Sequence, residues 1–456
     1  MYAQITAVEL LRFFVFEEKN IPEVKMSEIR EYLNAHKQEM TDLLAELVEV
    51  PSVQGGAEEG FPFGREPARA LEIMLKKCEE FGFIIENTDN YAGSADINGL
   101  APELAVLTHL DVVPAGTGWT SDPYTLRYEP DTDKLVGRGT IDDKGPAVAA
   151  LFAARAVKEL GIPLKKGIRL IFGTNEENGS ADLAYYRKKH RLPPAVFTPD
   201  GEYPLINAEK GMLRVYFSAE FNNGFIKGGE VINAVPQECT HNIRLYENGN
   251  VSMNYGRMHG TSAHASTPEK GENAITKFLH FNNYELPLLM KLKELFPHGE
   301  FSGKSCGLGF RDEISGDMTC VLSLLYTEDG RLHGGVDIRF PLDRTKAEIS
   351  DIICGKLREA GFDIDSCEGV EPHCTDENGV FVQTLLRVYE KVTGDKGRCI
   401  AIGGGTYVHE IEGGVAYGAE FPGKNYNMHC PDEFITVEDL MKNAEIMAEA
   451  MAELCS

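Results

Sequence analysis

The stretch G-R-G-T-I-D-D-K-G-P, residues 137–146, places two adjacent aspartates, Asp142 and Asp143, between glycines and a Lys-Gly-Pro. The apolar run A-V-A-A-L-F-A-A follows at once. Pro146 suits the first turn of a helix, where its missing N–H would be unpaired in any case. Both carboxylates therefore stand at a helix entrance. Asp is a good N-cap, but one is enough for that. The segments on either side decide what the second is for.

Upstream, L-A-V-L-T-H-L-D-V-V (104–113) is nearly continuous in apolar residues, as expected of a strand covered on both faces. It ends on His109 and Asp111, which are two apart and share a face. An Asp in that place can hold the ring of a metal-ligating His through its second nitrogen, although a single H-x-D is more often a hydrogen-bonded core pair. Downstream, G-I-R-L-I-F-G-T (167–174) reads as another buried strand and runs into N-E-E-N (175–178), with Glu176 and Glu177 where the chain leaves the core. T-P-D-G (198–201) carries Asp200, and N-M-H-C-P-D-E (427–433) puts His429 in a late loop. Each alone would pass as a turn or a solvated loop. Together they are carboxylates and imidazoles emerging from buried strands, where open α/β sheets bind ligands. Such donors suit zinc, or cobalt or manganese. A second ion accounts for the surplus of acids, because one carboxylate can bridge two ions.

The patterning predicts helices over 27–49, 66–82 and 146–160, alternating with apolar strands, hence a three-layer α/β domain with a mixed sheet. From about residue 211 the texture changes. M-L-R-V-Y-F-S-A (212–219), V-S-M-N-Y (251–255) and G-G-V-D-I-R-F-P (334–341) alternate by twos, as half-exposed strands do, and are interleaved with helices over 271–284 and 345–360. That fits an inserted α+β domain with an antiparallel sheet. The α/β texture returns with helices over 379–393 and 436–454. The expected organisation is an appendage over 1–25, an α/β domain over 26–210 and 371–456, and the inserted α+β domain over 211–370, with Met26 as the natural start.

Composition excludes several classes. A net charge of −26 over 456 residues argues against nucleic acid or an anionic membrane as partner. No apolar run reaches the roughly 18 residues of a membrane helix. The first residues do not read as a signal peptide, since Glu9 and Arg12 interrupt them. The 10 cysteines form no C-x-x-C pair, which suggests reduced thiols and a cytoplasmic protein.

The motifs L-T-H-L-D-V-V-P-A-G, G-R-G-T-I-D-D-K-G-P, G-T-N-E-E-N-G, G-T-S-A-H-A-S-T-P-E-K-G-E-N-A and N-M-H-C-P-D-E-F-I, in that order, resemble the di-zinc metallopeptidase family of aminoacylase, carboxypeptidase G and dipeptidase V. The match runs from about Glu28 to the C-terminus. The resemblance makes the α/β domain over 26–210 and 371–456 the catalytic domain and the inserted α+β domain over 211–370 its lid domain. T-P-D-G-E-Y-P and I-G-G-G-T-Y resemble the dipeptidase V branch, which is Xaa-His dipeptidase-like. The resemblance implies that His109 and Asp200 hold one metal and that Glu177 and His429 hold the other. Asp142 bridges them, with a cis peptide to Asp143. Asp111 orients His109. Glu176 is the general base that takes a proton from water and delivers it to the leaving amine. His264, which its own Ser/Ala-rich context would make a surface residue, is implied to reach the oxyanion from the lid.

Substrate contacts are implied as well. Arg339 can grip a terminal carboxylate with its fork; its residue context alone leaves open a cross-strand pair with an acid. Gly403, Gly404, Gly405 and Thr406 can offer backbone N–H groups to the same carboxylate, and Asn233 can add an oxyanion donor. His259, His333 and His409 have no motif support and read as structural or peripheral. The expected protein is a monomeric, metal-dependent dipeptidase whose domains close over dipeptide substrates. Alternatives are an N-acyl-amino-acid or succinyl-diaminopimelate deacylase, an inactive binding relative that keeps the fold, and a di-metal phosphoesterase.

Overall fold

The computed structural model describes residues 23–247, 250–281 and 286–456. Residues 1–22 of the expected appendage lie outside them, and Met26 falls within the first described helix, Glu23–Ala35. Two sheets organise the rest. The first is mixed, with the order Ile84–Thr88, Ala92–Asp96, Gly167–Gly173, Pro102–His109, Ala195–Thr198, Val415–Ala416, Leu205–Glu209 and His373–Cys374; Cys399–Ile402 also pairs with Leu205–Glu209. Its central strands are parallel: Pro102–His109 lies between Gly167–Gly173 and Ala195–Thr198. The second sheet is antiparallel and runs from Asn250–His259 through Glu238–Glu247, Gly224–Gly228, Thr319–Glu328, Arg331–Phe340 and Gly211–Glu220 to Asp363–Val370.

The parallel strands explain where chemistry can gather. His109 is the last residue of its strand and pairs in register with Gly173, the last of its own. The N-E-E-N turn therefore starts beside His109. Thr198 ends the next parallel strand, two residues before Asp200. Three strand ends thus open on one edge of the sheet.

The helix predicted after Asp143 spans Lys144–Glu159 and is buried from Lys144 through Ala154. An apolar circumference of this kind marks a helix covered on all sides. It is packed into the same core as the sheet strand residues Leu104 and Val106 and the final helix, Val437–Cys455. Burying Leu151 and Phe152 completely contributes about 1.5–3 kcal/mol each. The helix entrance is tight: a Cβ on Gly145 would lie 2.0 Å from the Thr140 carbonyl oxygen. Glycine there lets the D-D turn fold back on residues 137–140.

Several expectations need correction. The helix predicted over 27–49 is two helices, Glu23–Ala35 and Lys37–Val48, broken at His36. The His36 ring nitrogen Nδ1 bonds the Tyr32 carbonyl oxygen, a local bond that competes with the helix. The helix predicted over 271–284 starts only at Ala274, where the Asn273 side chain accepts the N–H groups of Ile275 and Thr276; it is described to Phe281, and residues 282–285 lie outside the described residues. A further helix, Pro287–Leu295, has no counterpart in the sequence reading. The strand Arg331–Phe340 is not half-exposed: every residue from Gly334 onward is buried. Its alternation survives, with Val336, Ile338 and Phe340 in the core. On the opposite face Asp337 pairs with Arg339, and Arg339 in turn donates to the Gly403 carbonyl.

Candidate metal centre

Asp142 occupies the middle of the site. Its Oδ1 lies 2.9 Å from His109 Nε2 and its Oδ2 lies 2.7 Å from His429 Nε2. Glu177 Oε1 stands 3.2 Å from the same His429 nitrogen, and Asp200 Oδ2 stands 3.9 Å from His109 Nε2. The donors fall into two groups, His109 with Glu176 and Asp200, and Asp142 with Glu177 and His429, each with ligand atoms within 4.8 Å of one another. All five expected ligands are therefore brought together. Glu176, expected to stay free of the metals, also lies within reach of the first group.

The donor set fits divalent cations. His109 Nε2 and Glu177 Oε1 are buried without a hydrogen-bond partner, although carboxylate and imidazole atoms face them at short range. Lone pairs that converge without hydrogen-bond geometry are what a cation accepts. The electrostatics agree. Burial pushes Asp200 up to about 7, helped by the Asp142 charge. Glu176 is raised well above the ordinary range by burial and then by Asp200, and Glu177 is raised by burial and by Asp142. Burial works against protonating His109 and His429, yet the neighbouring carboxylates overcome it and raise both. Crowded carboxylates that hold on to protons are short of positive charge.

Neither aspartate of the opening stretch caps the helix. Asp143 occupies the N-cap position without a side-chain capping bond. Its Oδ2 instead accepts the backbone N–H of His109 at 3.0 Å, and its peptide bond with Asp142 is cis. Asp111 does more than expected. His109 Nδ1 is 3.1 Å from the Asp111 carbonyl oxygen and 3.4 Å from its carboxylate. That carboxylate accepts the N–H groups of Glu176 and Glu177 at 3.1 and 3.2 Å. It therefore ties the glutamate turn to the His109 strand.

Three supporting acids were not singled out from the sequence. Asp182 is fully buried and accepts the N–H groups of Thr174 and Asn175 and the Tyr407 hydroxyl, fixing the start of the glutamate turn. Glu433, also fully buried, accepts Arg138 Nη1 at 2.5 Å and the Ile141 N–H at 3.0 Å, with the Asp142 N–H farther off at 3.4 Å. Glu209 is the third, at the end of its strand. Glu433 lies inside the motif N-M-H-C-P-D-E-F-I, which is a usable signal. Asp182 and Glu209 resemble ordinary helix-start and strand-end acids, and no local pattern distinguishes them.

The other expected residues come from the second sheet's strand Arg331–Phe340, from loops around Asn233 and His264, and from the loop that follows Cys399–Ile402 of the first sheet. His264 forms a β-bridge with Ala234, and the Ala265 N–H donates to the Asn233 carbonyl, so Asn233 and His264 are neighbours. The Ser266 N–H donates to His264 Nδ1 at 3.2 Å. Nδ1 is then an acceptor, and Nε2 carries the proton. The residue is exposed, as its Ser/Ala-rich context implies; partial desolvation of the ring and the nearby Arg339 charge lower its pKa, which keeps it neutral. Arg339 is nearly buried and its fork is occupied along its own strand: Nε and Nη2 bond Asp337 at 2.6 and 3.1 Å, and Nη1 bonds the Gly403 carbonyl at 3.1 Å. It pairs with an acid two residues away rather than across strands, and its guanidinium is held in one orientation. A Cβ on Gly404 would meet nothing within 4 Å, so that part of the loop faces open space, whereas one on Gly405 would lie 3.4 Å from His409 Nδ1. Thr406 departs from expectation. Its N–H and hydroxyl donate to Glu209 at 3.3 and 2.6 Å, so both are already engaged.

Residues 105–453 match the sequence profile of peptidase family M20/M25/M40. The chain belongs to this family. It is a metallopeptidase, and its two donor groups are the metal-binding candidates of that chemistry. This M20 peptidase is 34% identical to the Beta-Ala-Xaa dipeptidase of Lactobacillus delbrueckii subsp. lactis, over 93% of its own chain and 98% of the relative. Human carnosine dipeptidase 1 shares its fold with a TM-score of 0.63 at 16% identity, covering 94% of this chain and 98% of that one. The Bacillus subtilis YXEP protein, described as a dinuclear metal binding peptidase from the M20 family, aligns with a TM-score of 0.54 at 12% identity, over 92% of this chain and 99% of that one. Among the described residues no helix is long and apolar enough to cross a membrane.

Proposed function

We propose that this M20 peptidase hydrolyses the amide bond of free dipeptides with two divalent metal ions, zinc by the chemistry of the donors and manganese or cobalt as substitutes. The observation that carries the reading is the carboxylate of Asp142 facing one histidine from each donor group, His109 at 2.9 Å and His429 at 2.7 Å. His109 and Asp200 would hold one ion and Glu177 and His429 the other, with Asp142 between them. When bound, such ions supply Lewis acidity and bring the ionisation of water near neutrality.

The protein's own residues do the rest. Glu176 takes the proton of the attacking water and passes it to the leaving amine nitrogen. A carboxyl whose proton affinity is raised by burial is suited to both halves of that task. His264, neutral with its proton on Nε2, donates to the developing oxyanion, and Asn233 beside it adds a second donor. The second N–H groups of Arg339 Nη1 and Nη2, beyond those bonded to Gly403 and Asp337, and the backbone of Gly404 and Gly405 hold the terminal carboxylate. The metal donors come from residues 109–200 and 429, whereas Asn233, His264 and Arg339 come from residues 211–370, the stretch that builds the second sheet, which supports closure of a lid over residues 211–370 onto a catalytic domain over 26–210 and 371–456. A monomer that works in the cytoplasm completes the proposal; all 10 cysteines are free thiols in keeping with it.

The test is hydrolysis of free dipeptides, N-acetyl amino acids and tripeptides by chelator-stripped protein refilled with Zn²⁺, Mn²⁺ or Co²⁺. Metal-restored cleavage confined to free dipeptides is the expected result. Cleavage of acyl amino acids instead would move the substrate class to a deacylase, and no cleavage at all would favour a binding role.

A further inference from the structure

The turn T-Y-V-H, residues 406–409, closes with a bond from the His409 N–H to the Thr406 carbonyl at 2.9 Å. This brings Thr406 and His409 together on Glu209, which is 1% exposed. The ring of His409 has an acceptor at each nitrogen: Nδ1 lies 2.5 Å from Glu209 Oε2, and Nε2 lies 2.8 Å from the Glu371 carbonyl oxygen. A neutral ring beside an ionised carboxylate would leave one of these contacts without a proton. The cluster therefore holds one more proton than that state, as an imidazolium or shared with Glu209.

The position of this cluster is notable for what it joins. Glu209 ends the strand that leads, through Lys210, into the second sheet at Gly211, and Glu371 follows the last residue of the second sheet's final strand, Val370. The Lys210 N–H also donates to the Ile402 carbonyl at 3.0 Å. His409 thus ties both crossings of the chain between the sheets to the glycine-rich loop. At its other end that loop carries the Gly403 carbonyl bonded by Arg339, and a Cβ on Gly403 would lie 2.8 Å from Ser266 Cβ, beside His264.

We propose that His409, protonated between Glu209 and Glu371, is a positioning residue that locks the Gly403–Thr406 loop and both inter-sheet crossings, and so sets how tightly the substrate's carboxylate end is held. The groups that face its ring are Glu209, the Glu371 carbonyl, the His373 ring at 6.2 Å and Glu410 beside it in sequence. Burial opposes protonation of His409, and Glu209 overcomes it, so the pKa is raised. The latch is therefore present at low pH and lost as pH rises through that raised value.

For substrate affinity the proposal rests on the dipeptidase reading. The experiment compares wild-type holoenzyme with His409→Asn, Glu209→Gln and the double variant, using a free dipeptide and hydrogen exchange at the Thr406 amide. Each single variant is expected to raise KM about tenfold, the scale of one charge-assisted hydrogen bond, with kcat within about twofold and metal content unchanged. The double variant is expected to be no worse than either single one. The wild-type rise of KM at alkaline pH should vanish in the variants, and exchange at Thr406 should accelerate in all three. Wild-type cleavage with unchanged KM in both single variants overturns the latch. If the wild type cleaves no dipeptide, the dipeptidase reading fails instead. The Thr406 exchange rate then decides the latch alone, and an unchanged rate overturns it.

Discussion

Replacing Arg138 by Met isolates the support beneath Asp142. Arg138 and Glu433 are 1% and 0% exposed, and their 2.5 Å ion pair is the strongest contact either makes. Met keeps the stem volume but removes the cation, leaving the Glu433 carboxylate with the Ile141 N–H and the longer Asp142 contact. Breaking a buried pair on one side costs about 3–5 kcal/mol. Burial already pushes Glu433 up to about 7 against the opposing effect of Arg138. Protonation therefore limits the loss, and the lower end, ~3 kcal/mol, is the expected cost. With a urea dependence of about 2–3 kcal/mol per molar, the unfolding midpoint should fall by roughly 1 M. The sole tryptophan, Trp119, reports the event locally, because the Arg138 guanidinium lies 5.2 Å from its ring centre. Adding Glu433→Met should recover much of the midpoint, since no buried charge remains, but not the activity, since the Ile141 and Asp142 N–H groups lose their acceptor. A midpoint unchanged within about 0.3 M, or a double variant less stable than the single one, would refute this account of the pair.

Other expectations are simpler to state. Glu176→Gln should retain both metals by elemental analysis while turnover falls at least about a thousandfold; ordinary turnover would remove Glu176 from the base role. His264→Ala should lower kcat by about a hundredfold or more, the scale of one lost oxyanion donor, and metal loss in that variant would mean the ring serves the ions instead. Gly173→Ala should destabilise the protein and disturb the glutamate turn, because the new Cβ would lie 1.7 Å from the Tyr407 hydroxyl and 2.4 Å from Asp182 Oδ2. A variant with wild-type melting temperature and activity would show that Tyr407 can move aside freely.

What was legible in the sequence was legible for local reasons. Near-continuous apolar runs identified the covered strands, and in a parallel sheet the residues just past such strands converge. His109, Glu176, Glu177 and Asp200 therefore group from the sequence alone. Asp142 and Asp143 could be suspected because two acids exceed what a cap needs. The helix Lys144–Glu159 followed from Pro146 and the alanine-rich run, with an end error of about two residues, as is usual where caps fray.

Partner choice needed the tertiary structure. A carboxylate on a strand or in a turn has the same local signature whether it meets a metal, a guanidinium or a backbone N–H. Only the packed chain shows that Asp143 takes the His109 N–H, that Asp337 holds Arg339, and that Glu209 already occupies both donors of Thr406. His409 illustrates the point most sharply. In sequence it is a lone histidine after a glycine-rich loop, with nothing to mark it. In the fold its two nitrogens meet residues 200 and 38 positions away. The hydrophobic pattern that determines the strands is periodic and local, whereas a buried hydrogen bond is made between whichever groups the finished packing leaves facing each other.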